Sequence, residues 1–334
     1  MSMTNSEQCL PKQCLIRGLH NFRPCHQGSV VTIGSFDGVH LGHQAIIQQV
    51  IESAKARGVP SVAMTFEPQP HEFFIGERAP ARLMRFREKV SALFEAGIDR
   101  VCCLQFNKSL RSLSAQAFVE TVLVEGLGVQ HLIVGDDFRF GCDRNGDYAF
   151  LQQQGEHFGF SVSDTPTFEM AGERVSSTRI RKVLDQADFR LAQELLGKPY
   201  AITGRVGYGK QLGRKLNAPT ANVELHRFRS PLKGVFAVVA TCYDTLQKTQ
   251  QTHYGVANVG VRPTVDGDGK AILEVHLLNF QGDLYGKALK VEFKHKLRDE
   301  KRFESLEALQ AQIAADIDAA QNYFSDTASE PVTQ

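Results

Sequence analysis

The chain has 334 residues, 42% of them hydrophobic, which is enough for two domains of ordinary size, each with its own core. Lys and Arg number 38 against 37 Asp and Glu, so a net charge of +1 excludes a protein gripped to nucleic acid by a bulk basic surplus. A composition with 22% charged residues and 22 Phe excludes overall disorder.

The seven Cys include no C-x-x-C pair, so neither a zinc knuckle nor a thioredoxin-type site is supported, and no disulfide framework is expected. The stretch Met1 to Gln13 is polar and lacks the apolar core of a signal peptide, and no apolar run approaches the roughly 20 residues of a membrane span. The expectation is a cytoplasmic protein, monomeric or weakly homo-oligomeric, with no nucleic-acid or membrane partner.

In chain order, Ser29–Gly34 reads as a buried strand. Gly42–Ala56 follows as a helix, with Ile46, Ile47, Val50, Ile51 and Ala54 at helical spacing. Pro60–Phe66 is strand-like, Arg87–Ala96 helical, Val101–Phe106 strand-like, Ser114–Val124 helical and Val129–Val134 strand-like. This alternation predicts an α/β domain with a parallel sheet covered by helices. Two more helices, Ser176–Leu184 and Phe189–Leu196, precede a stop at Gly197-Lys198-Pro199.

Beyond Tyr200 the texture changes. Tyr200–Val206, Val235–Thr241, Tyr254–Val259, Ala271–Phe280 and Ala288–Phe293 read as strands, with turns at Asp266-Gly267-Asp268-Gly269 and Gln281-Gly282-Asp283. A closing helix spans Ser305–Tyr323. The pattern predicts an antiparallel sheet or barrel with a C-terminal helix. Domains of 14–197 and 198–325 follow, with flexible ends at 1–13 and 326–334.

Four segments carry chemistry. In the first, Gly34-Ser35-Phe36-Asp37-Gly38-Val39-His40-Leu41-Gly42-His43, a strand hands over to a helix. Its glycines let backbone approach a phosphate, and the helix N-terminus offers free N–H groups. His40 and His43, three residues apart, can donate hydrogen bonds to a phosphoryl group as charge develops, a task suited to their cationic forms. A tight turn with two ordinary His is the plainer reading; a zinc site lacks an obvious third ligand.

The second, Gly135-Asp136-Asp137-Phe138-Arg139-Phe140-Gly141, puts Asp137 just past a strand end, with the two Phe as core or pocket wall. The third, Ser176-Ser177-Thr178-Arg179-Ile180-Arg181, opens a helix with hydroxyls and two Arg: an ordinary N-cap, or a seat for a triphosphate or pyrophosphate. The fourth lies in the β-rich half. Gly207, Gly209, Lys210, Gly213 and Arg214 form a glycine-rich basic stretch, either a flap over phosphates or a glycine-rich turn. In Pro219-Thr220-Ala221-Asn222, Thr220 and Asn222 alternate onto one face and can ligate Mg²⁺ that phosphates also hold. Glu274, on one strand face with His276, can accept a proton from an attacking hydroxyl; an exposed edge strand is the alternative.

The first segment resembles the signature of HIGH-type nucleotidyltransferases, in the version of prokaryotic FAD synthetases. Thr65-Phe66-Glu67-Pro68-Gln69-Pro70 is similar to that family's T-F-[DE]-P-H-P, with Gln69 in place of His, and the Asp137 and Ser176 segments match in order. Pro219-Thr220-Ala221-Asn222, Leu273-Glu274-Val275-His276 and Gly282-Asp283-Leu284-Tyr285-Gly286 resemble the riboflavin kinase family, although Asn217 replaces the usual Gly before Ala218-Pro219. From roughly Val30 to Tyr323 the chain resembles the bifunctional riboflavin kinase/FMN adenylyltransferase family.

The resemblance implies a Rossmann-like nucleotidyltransferase domain and a kinase barrel. It implies riboflavin, FMN, FAD and ATP as ligands, ATP as co-substrate with Mg²⁺, phosphate binding by the Ser176–Arg181 segment, Glu274 as base, and Arg298 near the flavin. A monofunctional adenylyltransferase with a barrel-shaped binding module and a flavin carrier that consumes no ATP are the rivals. A dinucleotide-dependent oxidoreductase is disfavoured, because the first turn lacks G-x-G-x-x-G.

Overall fold

The computed structural model describes residues 13–135, 137–142, 144–208, 219–225, 229–244, 249–262 and 270–329. Its contacts divide the chain into two compact units, one of Met1–Ala79 with Phe86–Ser176 and one of Pro80–Arg85 with Ser177–Gln334.

In the first unit the elements run β1 (Cys14–Arg17), β2 (Ser29–Ile33), α1 (Leu41–Arg57), β3 (Ser61–Glu67), α2 (Pro70–Ile75), α3 (Phe86–Glu95), β4 (Arg100–Gln105), α4 (Lys108–Arg111), α5 (Ala115–Phe118), β5 (Val129–Gly135), α6 (Tyr148–Phe158) and β6 (Ser161–Thr165). The short β7 (Glu169–Met170) and β8 (Glu173–Arg174) pair as a hairpin. The six longer strands form one parallel sheet in the order β1-β4-β3-β2-β5-β6. All five residues of β2 are buried, as a central strand covered on both faces requires. Val31, Ile33, Met64, Leu104, Leu132 and Val134 belong to one buried cluster. The chain builds from β2 outward to β3 and β4, then crosses to β5. The strand order therefore reverses between β2 and β5, and open parallel sheets bind ligands in the crevice at that point.

The sequence predicts one helix over Ser114–Val124. Ser114 does cap it, accepting from the Ala117 N–H at 3.1 Å, but Val119–Val124 turns as a π-helix, with Val119, Val122 and Leu123 all buried. Apolar spacing over so short a stretch does not separate the two helix types. Helix α6 escaped the sequence reading because only Leu151, Gln154 and Gly155 of its residues are buried; Asp147 caps it by accepting from the Phe150 N–H at 2.9 Å.

The second unit opens with α7 (Ser177–Asp185) and α8 (Phe189–Leu196). It continues with β9 (Ala201–Gly207), β10 (Ala221–Val223), β11 (Gly234–Asp244), β12 (Thr249–Arg262), β13 (Lys270–Leu277) and β14 (Ala288–Arg298), and ends on α9 (Leu306–Ser329). The strands close into an antiparallel barrel ordered β10-β13-β12-β11-β14-β9, which leaves no edge. Along β13 the buried side chains Ala271, Leu273, Val275 and Leu277 alternate with half-buried Ile272, Glu274 and His276, so the former fill the barrel.

Phe189 of α8 packs on Phe236 and Phe293. Ala320 and Phe324 of α9 cover Val235, Ala237 and Val256. Helix α9 runs to Ser329, past the point where the sequence predicts fraying, and the Ser325 and Thr327 hydroxyls bond carbonyls one turn back. The turn expected at Asp266–Gly269 lies outside the described residues, as does most of the basic stretch, with Gly209, Lys210, Gly213 and Arg214.

Candidate active sites

The first site is built where β2 ends. Its turn is tight enough to hold two non-glycine residues at positive φ, Phe36 at 47° and Val39 at 43°, beside Gly38 at 93°. A β-branched residue rarely adopts this conformation, and such strain gathers at functional turns. Phe36, Asp37, Gly38, Val39 and His40 are all buried. Gly34 donates to the Met64 carbonyl at 3.0 Å, and the Thr65 hydroxyl donates to the Ser35 carbonyl at 3.4 Å, so the turn is fastened to the end of β3.

His40 is the N-cap of α1, and its Nδ1 accepts from the His43 backbone N–H at 3.3 Å. The two imidazoles stack with centroids 3.7 Å apart, and the ring of Phe36 lies 5.2 Å from that of His43. A Cβ on Gly42 would come within 3.2 Å of the Val175 carbonyl and 3.3 Å of His40 Nδ1, so glycine is what lets the segment before Ser176 close over the helix start.

Two residues absent from the sequence reading, Arg174 and Lys89, bear on this cluster. Arg174, on the β8 hairpin, donates to Asp137 at 3.0 Å, and its charge acts on His43. Lys89, on α3, is fully buried, and its charge also acts on His43. The Gln69 amide is 1% exposed, and neither of its polar atoms has a hydrogen-bond partner among the described residues. No local signal flags Lys89, which reads as an ordinary helical Lys; its burial, costly for a cation without a role, is seen only in the structure.

His43 Nδ1 is sealed from solvent and makes no hydrogen bond among the described residues. Burial first, then the nearby charges of His40, Lys89 and Arg174, hold the His43 pKa well below the ordinary 6.5. The ligand-free protein therefore keeps His43 neutral, not cationic as its task suggests from sequence. The cations around it form a pocket of positive potential, and an arriving phosphate would favour its proton. The depressed pKa also has a stability consequence. A proton binds the unfolded chain more readily than the folded one, so this contribution is complete above 6.5 and is lost as pH falls toward the folded value. Burial lowers His26 and His131 in the same direction. Melting temperature is expected to fall from about pH 7 to about pH 5, and His43→Gln should flatten part of that slope in a scanning-calorimetry series. A variant with an unchanged slope would show that His43 does not titrate this way.

Phe138 and Phe140 stack with centroids 5.4 Å apart and pack against the buried cluster of the first unit. Ser176 closes the first unit. Ser177, Thr178, Arg179 and Arg181 belong to α7 in the second unit, where the Arg181 Nε donates to the Ala81 carbonyl at 2.5 Å.

The second site is a row across four barrel strands. Asn222 on β10 pairs in register with Gly207 on β9 and with Glu274 on β13, and Glu274 pairs with Asn258 on β12. Residues directly opposite point to the same sheet face. Glu274 is therefore flanked by two amides on the outer, half-buried face, on a strand bonded on both sides and not on an edge. Asn258 enters the row only through register. A Cβ on Gly207 would come within 2.9 Å of Glu224 Oε1, so glycine keeps this end open. His276 Nδ1 bonds the Pro219 carbonyl at 3.0 Å and ties β13 to the exposed residue before Thr220.

Beside the row a pocket of about 440 Å³ is lined by Val206, Thr220, Leu277, Phe280 and Tyr285, among others. Thr220 and Asn222 offer a hydroxyl and an amide oxygen, hard donors that fit Mg²⁺ shared with phosphates. Arg298 is committed elsewhere: its Nε and Nη2 grip the Asp316 carboxylate at 2.8 and 2.7 Å, and its Nη1 donates to the Asp299 carbonyl at 2.9 Å. In this structure it anchors α9.

Two family models match, FAD synthetase over residues 22–179 and riboflavin kinase over residues 196–324. The bifunctional riboflavin kinase/FMN adenylyltransferase of Pseudomonas fluorescens is 58% identical, over 92% of this chain and 96% of its own. The same-named protein of Escherichia coli K12 is 48% identical, over 93% and 97%. A crystal structure titled as a macrolide-efflux protein from Streptococcus pneumoniae matches with a TM-score of 0.74 at 29% identity, over 93% of this chain and 99% of that one. No described helix here is long and apolar enough to cross a membrane. The matches run in the same order as the two sites and cover both, so the chain belongs to the bifunctional riboflavin kinase/FMN adenylyltransferase family.

Proposed function

We infer that the chain phosphorylates riboflavin to FMN and then adenylylates FMN to FAD, with ATP as the donor in both steps. The observation that carries this reading is the presence, in one chain, of two separately built clusters whose residue types suit phosphate chemistry: the His40–His43 turn at the strand-order switch and the Asn222–Glu274 row of the barrel.

In the kinase step Glu274 accepts the proton of the riboflavin 5′-hydroxyl as that oxygen attacks the γ-phosphorus of ATP, and ADP departs. Asn222, with Asn258 on the other side of Glu274, keeps the carboxylate aimed outward from the strand. Mg²⁺, held by phosphates with Thr220 and Asn222, would supply charge neutralisation at the phosphoryl oxygens.

In the second step the FMN phosphate attacks the α-phosphorus of ATP, and pyrophosphate leaves. His40 and His43, at the N-terminus of α1, donate to the oxygens on which charge gathers, and no covalent enzyme intermediate is needed. Arg174 and Lys89 add cationic charge at the same place. Ser176, Ser177, Thr178, Arg179 and Arg181 hold the departing pyrophosphate. The adenylyltransferase domain spans 14–197 and the kinase domain 198–325 in this reading.

Incubation of the chain with riboflavin, ATP and Mg²⁺, followed by chromatographic separation, tests it. FMN should appear first and FAD later, with ADP and pyrophosphate as co-products. Flavin binding without ATP consumption would make the protein a carrier. FAD formed only from supplied FMN would leave it an adenylyltransferase with a barrel-shaped binding module.

A further inference from the structure

One aromatic pair in the barrel unit has no part in the chemistry above. Tyr208 follows β9 directly, at the root of the glycine-rich basic stretch. Its ring stacks on that of Tyr285, with centroids 4.2 Å apart and planes 18° from parallel. Tyr285 lines the pocket that also takes in Val206, Thr220, Leu277 and Phe280. Tyr208 is 81% exposed, so one face is covered by Tyr285 and most of the ring remains open. The pocket wall mixes apolar side chains with the polar Thr220, Gln281 and Tyr285, and Asp283 is its one carboxylate, a lining suited to a flat heterocycle with polar edges better than to a polyphosphate. Thr220 at its side is where the phosphates are expected.

We propose that Tyr208 determines nucleotide specificity in riboflavin phosphorylation: with Tyr285 it forms the aromatic wall on which the purine base of ATP stacks. A purine covers more of a two-ring wall than a pyrimidine does, so the kinase step favours ATP over CTP. The proposal rests on reading this pocket as the kinase's nucleotide pocket, and the test separates the two.

In the full chain, Tyr208→Ala is expected to raise the KM for ATP in FMN formation by about fivefold or more and to narrow the preference for ATP over CTP, since base–aromatic stacking carries an effect of that order. The kcat should hold, and the KM for ATP in adenylylation of supplied FMN should not move. Tyr208→Phe, which keeps the ring, should behave as the parent. An unchanged KM for ATP with unchanged base preference, or a fall in kcat alone, would overturn the proposal and leave the stack as a brace for the turn after β13. A raised KM for riboflavin in place of ATP would overturn the pocket reading itself.

The chain contains no Trp, so Tyr208→Trp introduces a single indole whose emission reports the wall directly. Saturating Mg²⁺-ADP, with saturation fixed by calorimetry, should quench it. Emission that stays constant at saturation would count against stacking on this residue.

Discussion

Glu274→Gln is expected to lower FMN formation from riboflavin by about a hundredfold to ten-thousandfold, while adenylylation of supplied FMN proceeds at the parent rate. The range is that of losing a positioned proton acceptor. Gln has the same shape and keeps hydrogen-bonding capacity toward Asn222 and Asn258, but it cannot take the hydroxyl proton. Glu274 sits on the outer face of β13, between buried Leu273 and Val275, so the substitution leaves the barrel interior untouched. The adenylylation rate is then a control for folding as well as for division of labour. Loss of both activities, or of neither, in a steady-state assay with each flavin supplied separately, would sink the assignment.

His43→Ala gives the opposite pattern: FMN accumulates from riboflavin and ATP, and FAD formation falls by about a hundredfold to a thousandfold, the usual effect of removing one donor to a developing oxyanion. His43 is the cleaner target of the pair. His40 caps α1 through its ring, so His40→Ala also removes a cap worth about 1 kcal/mol of stability and mixes two effects. The neutrality of His43 in the ligand-free protein adds a mechanistic expectation. Phosphate binding should draw a proton to the cluster, since an anion offsets the repulsion from His40, Lys89 and Arg174. Intact FAD synthesis in His43→Ala, measured at saturating ATP and FMN, would remove His43 from the chemistry.

Wherever one element has a strong period, the sequence reading and the structure agree closely. Strand Ser29–Gly34 is β2, helix Gly42–Ala56 is α1, and the five strands expected after Tyr200 are five of the six in the barrel. The elements that escaped are short or mostly exposed. Strand β1 is four residues with one buried side chain, and α6 offers a narrow apolar stripe. In both, tertiary pairing decides what local pattern cannot.

The candidate sites divide in the same way. His40, His43, Thr220, Asn222 and Glu274 were legible because each sits in a motif whose residue types suit phosphate chemistry. Arg174, Lys89 and Asn258 were not. Arg174 reaches Asp137 across 37 residues, Lys89 looks like any helical Lys until its burial is known, and Asn258 joins Glu274 only by strand register.

The amino-acid sequence alone determined that this is a two-part protein, a parallel α/β half and an antiparallel β half, each with a phosphate-suited motif. Composition and periodicity act through neighbours a few residues apart, and those are local. Only the tertiary structure decided the reversal of strand order that puts the His turn in a crevice, the row that sets Glu274 between two amides, and the burial that keeps His43 neutral. These depend on strand registers and on desolvation by residues distant in the chain, which no local pattern encodes.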